Sequence, residues 1–415
     1  MKKLLIMGGV PLHGEVTVSG FKNAALPVLY ATVLTGDVSV ISNLPRIGDV
    51  EATLHILRAI GAVILPLDSH TVLVDTRGVV PCRAPDEAVS SLRASSYLLG
   101  AELARFGKSR VAVPGGCRIG ARPLDIHCAV LSALGATVRI EEGTISAEAA
   151  SLRGAEITLP IPSVGATVNA ILAAVLADGV TMLYGAAKEP HIADLCTYLT
   201  ACGAKIEGGG EGVLRILGVP RLHGANHRLM PDMIEAGTFL TAVGAAGGEI
   251  YLRGVVPGHL ASVIAPLRTM GMEIHIEGEA LLAARHGLLF PFDLTAGPYP
   301  AFPTDMHPQL AALALFAVAP SRLQDTVFPD RFLYTRELRR MGGALSVADG
   351  TVTVTPSRLH GGRVRAVDLR AGAALAVAAL GTRGKTTLLD AAVLARGYED
   401  PAGKLAALGA SVEVK

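Results

Sequence analysis

The chain has 415 residues, half of them apolar, which is enough for two or three domains with sizeable cores. Its 37 Lys and Arg residues nearly balance its 36 Asp and Glu residues, and no block of like charge appears. Surfaces that bind nucleic acid or an anionic membrane usually carry a basic excess. We therefore expect neither as a partner, and any strong positive field must be local.

The first predicted element is a β-strand within MKKLLIMGGV (1–10), whose apolar run is too short for a signal peptide. No apolar run reaches the roughly 18 residues of a membrane helix, and LAALALFAVA (310–319) is predicted to be a buried core helix. The cysteines are odd in number and lack metal-ligand spacing, which indicates free thiols in a reducing cytoplasm and no metal site. They are Cys82, Cys117, Cys128, Cys196 and Cys202.

A phrase that predicts the end of a helix occurs six times along the chain. Its versions are LRAIGAVI, LSALGATV, LTACGAKI, LRTMGMEI, LRRMGGAL and LAALGASV. Their first glycines, 67 to 74 residues apart, are Gly61, Gly135, Gly203, Gly271, Gly342 and Gly409. Each phrase is typical of a helix closed by a glycine and followed by a β-strand. The six copies predict six α/β units.

Each unit also has an apolar helix, a strand and a polar loop upstream of the phrase; VSVISNL (38–44) and RVAVPG (110–115) are two such strands. The period is too long for a solenoid, so the length favours two globular halves of three units each. The polar, turn-rich segment GANHRLMPD (224–232) predicts that the chain passes from one half to the other near residues 225–232.

Polar residues recur where the first helix of each unit is predicted to start. They are Lys22, Arg93, Ser163, Glu235, Asp305 and Arg370. Three further arginines, Arg122, Arg331 and Arg396, lie in equivalent loops 11 to 13 residues before a repeat glycine. A single arginine at a helix start is usually a solvated or capping residue. This repetition instead favours a cationic cleft for a small, multiply charged anion, because helix N-termini also attract anions.

One loop, VPGGCRIGARPLD (113–125), combines a cysteine, three glycines and two arginines. Arg118 and Arg122 should lower the pKa of the Cys117 thiol below its usual value of about 8.5. The glycines would let the loop move as a lid. The alternative is a surface turn that contains a cysteine. The other four cysteines are interpreted as structural.

These residues resemble one known family over nearly the whole chain. The matching phrases are SGFKNAALP, PGGCRIGARPLDIH, PSVGAT, PDMIEAGTFL, AFPTDM, DRFLYTREL, DLRAG and RGYED. They are similar to the UDP-N-acetylglucosamine enolpyruvyl transferases, in which the cysteine loop is distinctive. The resemblance implies an inside-out α/β barrel of two domains, each of three βαβαββ repeats. Those domains would comprise residues 21–229 and residues 1–20 with 230–415.

The resemblance also implies the reaction. The enolpyruvyl group of phosphoenolpyruvate passes to the 3-hydroxyl of UDP-N-acetylglucosamine and phosphate leaves, by addition and elimination. This is the first committed step of peptidoglycan synthesis. No cofactor is implied. Phosphoenolpyruvate carries about three negative charges, which explains the need for several fixed cations. The implied catalytic residues are Lys22, Cys117 and Asp305. Asp305 would accept the hydroxyl proton, and Cys117 would protonate the methylene carbon.

The same resemblance assigns the binding residues. Lys22, Arg122 and Arg396 would face the phosphate of phosphoenolpyruvate, and Arg331 and Arg370 its carboxylate, with Asn23 completing the pocket. The residues implied for UDP-N-acetylglucosamine are Arg93, Ala121, Arg122, Pro123, Leu124, Asp125, Ser163, Val164, Gly165, Asp305 and Val327.

This chain departs from the family pattern at three places that bear on the reaction rate and on the fit of the acceptor sugar. Met233 replaces an arginine, Ile161 replaces a lysine found in some members, and Val393–Ala395 replaces His-Ile-Asp. Two alternatives therefore stay open: a diverged enolpyruvyl transferase acting on another nucleotide sugar, and a non-catalytic nucleotide-sugar sensor. The sequence is compatible with a monomer.

Overall fold

The computed structural model describes residues 3–113, 124–328 and 330–415. The α-helices in these residues are α1 (Lys22–Ala31), α2 (Gly48–Ala59), α3 (Asp86–Ser91), α4 (Tyr97–Phe106), α5 (Asp125–Ala133), α6 (Val164–Ala174), α7 (Pro190–Ala201), α8 (Met233–Ala246), α9 (Ala261–Thr269), α10 (His307–Ala314), α11 (Tyr334–Arg340), α12 (Leu369–Gly381) and α13 (Pro401–Ala407). No helix among the described residues is long and apolar enough to cross a membrane.

The strands in the same residues are β1 (Lys3–Gly8), β2 (Leu12–Thr17), β3 (Val38–Ser42), β4 (Val63–Pro66), β5 (Val72–Asp75), β6 (Lys108–Ala112), β7 (Thr137–Glu141), β8 (Thr144–Glu148), β9 (Glu156–Thr158), β10 (Val180–Tyr184), β11 (Lys205–Glu207), β12 (Val213–Leu217), β13 (Asn226–Arg228), β14 (Gly248–Arg253), β15 (Glu273–Glu277), β16 (Ala280–Arg285), β17 (Asp293–Ala296), β18 (Ser321–Asp325), β19 (Ala344–Ala348), β20 (Thr351–Thr355), β21 (Arg363–Arg365), β22 (Gly384–Leu389) and β23 (Ser411–Val414).

The strands form small sheets with one recurring topology. In five sheets an edge strand runs parallel to a second strand, which pairs antiparallel with a third, and the third pairs antiparallel with a fourth. Their orders are β13-β3-β5-β4, β9-β10-β12-β11, β2-β14-β16-β15, β17-β18-β20-β19 and β21-β22-β1-β23. The remaining described sheet, β6-β8-β7, is antiparallel. The predicted repetition of α/β units is therefore confirmed.

Three sheets take a strand from a distant part of the chain. β13 pairs with β3, β2 pairs with β14, and β1 joins β22 to β23. The repeats are therefore not six consecutive segments, because each of these sheets takes one strand from a part of the chain far from its other strands. The sequence reading predicted the strand at residues 1–10 but not these pairings.

The six repeat glycines share one backbone geometry. Each follows the C-cap residue of a helix and has φ between +80° and +107°. In every copy the residue after the glycine donates its N–H to the carbonyl of a leucine five residues earlier, as Ala62 does to Leu57. These are Schellman motifs, whose left-handed residue is usually glycine because a Cβ is disfavoured there. The predicted helix ends are confirmed.

The chain divides into two compact units, one of residues 3–19 with 231–415 and the other of residues 20–113 with 124–230. In the first unit α8, α10 and α12 pack together and are almost wholly buried. In the second, α4 packs against both α1 and α6. Each unit thus has its own helical core, which its small sheets cover.

One sequence expectation is wrong in detail. The core helix predicted over residues 310–319 ends at Ala314, and Val318 is half exposed. The amide groups of Leu315, Phe316 and Ala317 donate to carbonyls three residues back, which tightens the chain into a turn. Ala317 then forms a β-bridge with Leu289. Apolar composition alone does not mark this end, because the exit from the helix is buried too.

Candidate active site

Three of the predicted site residues meet in the unit of residues 231–415. Asp305 lies in a 3₁₀ turn, Thr304–Met306, directly before α10. Its Oδ1 atom accepts a hydrogen bond from Arg331 Nη1 at 2.8 Å, and its Oδ2 atom accepts one from Arg370 Nη2 at 2.9 Å. One carboxylate is therefore held between two guanidinium groups. We call Asp305, Arg331 and Arg370 the Asp–Arg cluster.

The two arginines of this cluster are buried, whereas its carboxylate is partly exposed. The side chains of Arg331 and Arg370 are 6% and 3% accessible, against 25% for Asp305. Burial by itself lowers the pKa of Arg370, but Asp305, Tyr398 and Asp232 together outweigh it and the pKa lies above its usual value. Arg370 thus stays charged in the core, because a paired buried cation is far less costly than an unpaired one.

A chain of hydrogen bonds fixes the Arg370 guanidinium from behind. Its Nη1 atom donates to the Tyr398 hydroxyl at 3.1 Å, and that hydroxyl lies 2.9 Å from Thr238 Oγ1. Gln309 Nε2 donates to both of these oxygens. At the backbone, the Asp368 side chain caps α12 and accepts from the N–H of Arg370 at 2.9 Å. The orientation of Arg370 is therefore set by side chains from three different repeats.

Asp325 holds the loop that carries Arg331 and the turn that carries Asp305. Its Oδ1 atom accepts from the N–H groups of Val327 and Phe328, and its Oδ2 atom accepts from Thr304 Oγ1 at 2.5 Å. The Val327 N–H is thus engaged within the protein. Arg331 Nη1 also donates to the carbonyl and hydroxyl of Thr304. Asp325 and Tyr398 were not among the predicted site residues, although Tyr398 lies inside the quoted phrase RGYED.

A neutral histidine lies beneath this region. His307 is fully buried, and burial lowers its pKa to about 4 although Asp325 opposes the shift. Its Nδ1 atom lies 3.1 Å from the Tyr334 hydroxyl. At neutral pH the ring therefore adds no charge to the Asp–Arg cluster.

This unit contains a second buried ion cluster, of which the sequence analysis named only Glu235. Glu235, in the first turn of α8, accepts from Lys404 Nζ and from the Ser19 N–H, each at 2.7 Å. The Ser19 hydroxyl in turn donates to Glu399. Burial raises the pKa of Glu235 to about 7, against the opposing effect of Lys404. This cluster ties α8 to α13 and to the segment that follows β2.

In the unit of residues 20–113 and 124–230, Lys22 and Asn23 are the first two residues of α1. The Nζ atom of Lys22 lies 3.0 Å from Oδ2 of Asp49, a buried residue in the first turn of α2. The ion pair therefore stays within one repeat. The sequence reading missed Asp49, although a carboxylate at a helix start is a recognisable local signal.

The helix starts of α5 and α6 lie side by side. Ser163 caps α6 by accepting from the Ala166 N–H at 3.3 Å, and Val164 and Gly165 begin the helix. His127 of α5 packs against this start so closely that a Cβ on Gly165 would lie 2.6 Å from its Cε1 atom. Asn169 Nδ2 donates to His127 Nδ1 at 2.8 Å, which leaves the ring proton on Nε2. The structure thus brings Ser163–Gly165 close to the helix that begins at Asp125.

The other described site residues are partly or fully accessible, apart from one. Arg93 begins a 3₁₀ turn before α4 and is half-buried, and Arg396 ends a 3₁₀ turn and is also half-buried. Asp125 is exposed, whereas Leu124 is buried. The predicted site residues Ala121, Arg122, Pro123 and Cys117 lie outside the described residues. Their predicted roles therefore stay predictions.

The described cysteines are unpaired thiols. Burial raises the pKa of Cys196 to about 12 and that of Cys202 to about 11, and it also raises the pKa of Cys82 and Cys128. Thiols of this kind are poor nucleophiles at neutral pH. Among the described residues no group of three or more His, Cys, Asp or Glu side chains could hold a metal ion.

Comparison with known proteins identifies the class to which this fold and site belong. The family model for EPSP synthase (3-phosphoshikimate 1-carboxyvinyltransferase) matches residues 6–405. The crystal structure of the enolpyruvyl transferase NikO from Streptomyces tendae is similar with a TM-score of 0.90 at 30% identity, over 99% of this chain and 98% of that one. An EPSP synthase from Acinetobacter baumannii shares the fold, with a TM-score of 0.75 at 20% identity over the whole of both chains. The chain belongs to this family of enolpyruvyl transferases.

Within the family, two similar relatives carry one name. The UDP-N-acetylglucosamine 1-carboxyvinyltransferase of Nitratidesulfovibrio vulgaris (strain DP4) is 46% identical over 418 residues, which cover 99% of each chain. The enzyme of that name from Halothermothrix orenii is 42% identical over 412 residues, again 99% of each chain. The resemblance and the fold class expected from the sequence are confirmed, and the chain is a transferase.

Proposed function

We propose that this chain transfers the enolpyruvyl group of phosphoenolpyruvate to the 3-hydroxyl of UDP-N-acetylglucosamine and releases phosphate, the first committed step of peptidoglycan synthesis. The observation that carries the proposal is the Asp–Arg cluster, a buried pair of guanidinium groups holding one partly exposed carboxylate. Such a pair can bind a planar carboxylate through directed hydrogen bonds. The relatives that match 99% of the chain are named for this reaction.

The chemistry divides between an acid and a base. The sugar hydroxyl oxygen bonds to C2 of phosphoenolpyruvate while its proton passes to Asp305, and the Cys117 thiol gives its proton to C3. The resulting tetrahedral adduct carries a methyl group and the phosphate. Loss of a proton from that methyl group and of phosphate from C2 restores the double bond. Positioned acid and base groups of this kind commonly contribute about 10²–10⁴-fold in rate.

The binding roles follow the assignment made from the sequence. Arg331 and Arg370, with Asn23, would bind the carboxylate of phosphoenolpyruvate, and Lys22, Arg122 and Arg396 its phosphate. The nucleotide sugar would contact Arg93, the segment 121–125, Ser163–Gly165, Asp305 and Val327. The accessible start of α6 supports this assignment, because free N–H groups at a helix start suit a diphosphate. The fixed cations would neutralise charge without reorganising during the reaction.

The proposal also includes the domain boundaries and the cellular location. Residues 21–229 would form one domain and residues 1–20 with 230–415 the other, which agrees with the two compact units of the fold. The enzyme would act in the cytoplasm, where its substrate phosphoenolpyruvate is made and where the free cysteines stay reduced.

The test is phosphate release from phosphoenolpyruvate measured with and without UDP-N-acetylglucosamine. We expect release that depends on the nucleotide sugar and a product bearing an enolpyruvyl ether. The same assay with UDP-glucose, UDP-N-acetylgalactosamine and UDP alone decides the acceptor. Ile161, which is 59% exposed two residues before Ser163, is the departure that bears on this choice. Faster turnover of another sugar would replace the acceptor, and binding without phosphate release would favour a sensor.

A further inference from the structure

The two arginines assigned to the carboxylate of phosphoenolpyruvate already hold a carboxylate of the protein. Arg331 and Arg370 donate to opposite oxygens of Asp305, the proposed base. A carboxylate that accepts two charge-assisted hydrogen bonds is stabilised in its ionised form and takes up a proton poorly. In this arrangement the base is therefore held in its least reactive state.

A second carboxylate cannot join the first without cost. Two carboxylates sharing one site repel each other, and the burial of both guanidinium groups strengthens that repulsion by reducing screening. The substrate carboxylate and the Asp305 carboxylate therefore compete for the same two cations.

The exposure of the three side chains indicates which partner can move. Arg370 is anchored by Tyr398, and Arg331 is anchored by Thr304. Asp305 is more accessible than either arginine and lies in a short 3₁₀ turn. The buried Nε atom of Arg331 has no hydrogen-bond partner in the part of the chain that the structure describes. The arginines can thus stay in place, with donor capacity left over, while a new anion replaces Asp305.

We propose that Asp305 is a counter-ion that phosphoenolpyruvate displaces, so that the base becomes active only when this substrate is bound. The substrate carboxylate takes over the hydrogen bonds of Arg331 and Arg370. The released Asp305 carboxylate loses two stabilising partners and gains an anionic neighbour, and both changes make it a better proton acceptor. The exchange rests on the proposed function, and it couples base strength to occupation of the phosphoenolpyruvate site.

The test compares variants in which chemistry is blocked by Cys117→Ser. The affinity for phosphoenolpyruvate is measured calorimetrically at saturating UDP-N-acetylglucosamine for Cys117→Ser alone and for Cys117→Ser with Asp305→Asn. We expect the double variant to bind phosphoenolpyruvate about tenfold or more tightly, because the competing charge is gone. Cys117→Ser with Asp305→Glu, which keeps the charge, is the matched control and should gain no affinity.

The melting temperature of each variant gives a second test that does not depend on the sensitivity of calorimetry. Removing Asp305 leaves two buried cations without their counter-ion, so phosphoenolpyruvate should raise the melting temperature of the Asp305→Asn double variant more than that of Cys117→Ser. Inorganic phosphate, which lacks a carboxylate, should affect both variants alike.

Equal or weaker binding by the Asp305→Asn variant would overturn the exchange, as would the absence of binding at about ten times the wild-type KM. Wild-type turnover separates the two proposals. If the wild type releases no phosphate and binds no phosphoenolpyruvate, the proposed function itself fails. If it turns over normally while the Asp305→Asn variant gains no affinity, only the exchange fails.

Discussion

The two units use different chemistry to join the first helices of their repeats. Around α8, α10 and α12 the joining side chains include charged groups. The chain of contacts from Asp305 through Arg370 and Tyr398 to Thr238 passes through three repeats. Between α4 and α6 the joining side chain is a neutral amide. Asn169 accepts from the Gly100 N–H at 2.8 Å and donates to the Ser96 carbonyl and to His127.

The two kinds of contact, charged and neutral, differ in their energetic cost. A buried neutral amide with its hydrogen bonds made fixes helix packing cheaply, whereas buried ions pay a large desolvation penalty. The unit of residues 231–415 accepts that penalty twice, in the Asp–Arg cluster and in the Glu235–Lys404 pair. In the proposed function, the first of these would provide fixed charges for the substrate. The other unit accepts a similar penalty in the Lys22–Asp49 pair, whose side chains are 16% and 7% accessible.

The largest expected effect comes from breaking the Asp–Arg cluster. Asp305→Ala should reduce kcat by about 10²–10⁴-fold, because the proposed base is lost. Nucleotide-sugar binding should stay measurable, and both are checked by steady-state turnover and direct binding. Asp49→Ala, which removes the carboxylate of the Lys22 pair in the other unit, is the comparison and should cost less in kcat. An Asp305→Ala enzyme with more than half the wild-type rate would remove Asp305 from the role of base.

The Glu235–Lys404 pair should show the stability cost of unpairing a buried charge. Lys404→Met should lower the free energy of unfolding at pH 8 by about 3–5 kcal/mol, because Glu235 is then left buried without its cation. Urea denaturation measures this. Adding Glu235→Gln should recover much of the loss. Lys415→Met, which breaks an exposed pair with Glu413, should change stability by less than about 0.5 kcal/mol. Equal effects at both lysines would contradict the burial argument.

The second unit also contains a buried acid, but without a cation in its hydrogen-bond set. Glu102 accepts from Ser109 Oγ at 2.8 Å and from the Cys82 N–H, and burial raises its pKa to about 7. Because the folded state holds the proton more tightly, its contribution to stability is complete below about pH 4.5 and is lost as pH rises through 7. The loss amounts to about 3 kcal/mol.

Glu102→Gln isolates this contribution, because the amide does not titrate. The free energy of unfolding of the wild type should fall by about 3 kcal/mol more than that of the variant between pH 4.5 and pH 8. Both are followed by urea denaturation at each pH. Parallel pH profiles for the two proteins would show that Glu102 keeps an ordinary pKa in the folded state.

The smallest effect is expected at the start of α6. Ser163→Ala should cost about 1 kcal/mol in unfolding free energy, because the Ala166 N–H loses its acceptor. Ser163→Gly should lower the unfolding free energy by only a few tenths of a kcal/mol. Thermal melting of the three proteins checks the order. A larger loss of UDP-N-acetylglucosamine affinity than of stability would support the proposed role of Ser163 in binding.

The sequence by itself determined the features whose causes are local. The six helix ends could be predicted because the residues from the leucine to the one after the glycine supply the whole hydrogen-bond pattern of each motif. The starts of the first helices were readable from polar residues at a similar distance, 36 to 42 residues, before those glycines. Asp305, Arg331 and Arg370 were named through resemblance, and the structure places those three together. The roles of Cys117 and Arg122 stay predictions, because those residues lie outside the described ranges.

Only the tertiary structure decided the features that join distant residues. Asp305 and Arg370 are 65 residues apart in sequence, and Arg370 and Tyr398 are 28 apart. No local pattern records that one carboxylate lies between two guanidinium groups, or that a tyrosine hydroxyl anchors one of them. The long-range pairings of β1, β2 and β13 are equally invisible, since a short strand carries no information about its partner. Pairing and charge compensation depend on three-dimensional packing, which brings together groups that the chain keeps far apart.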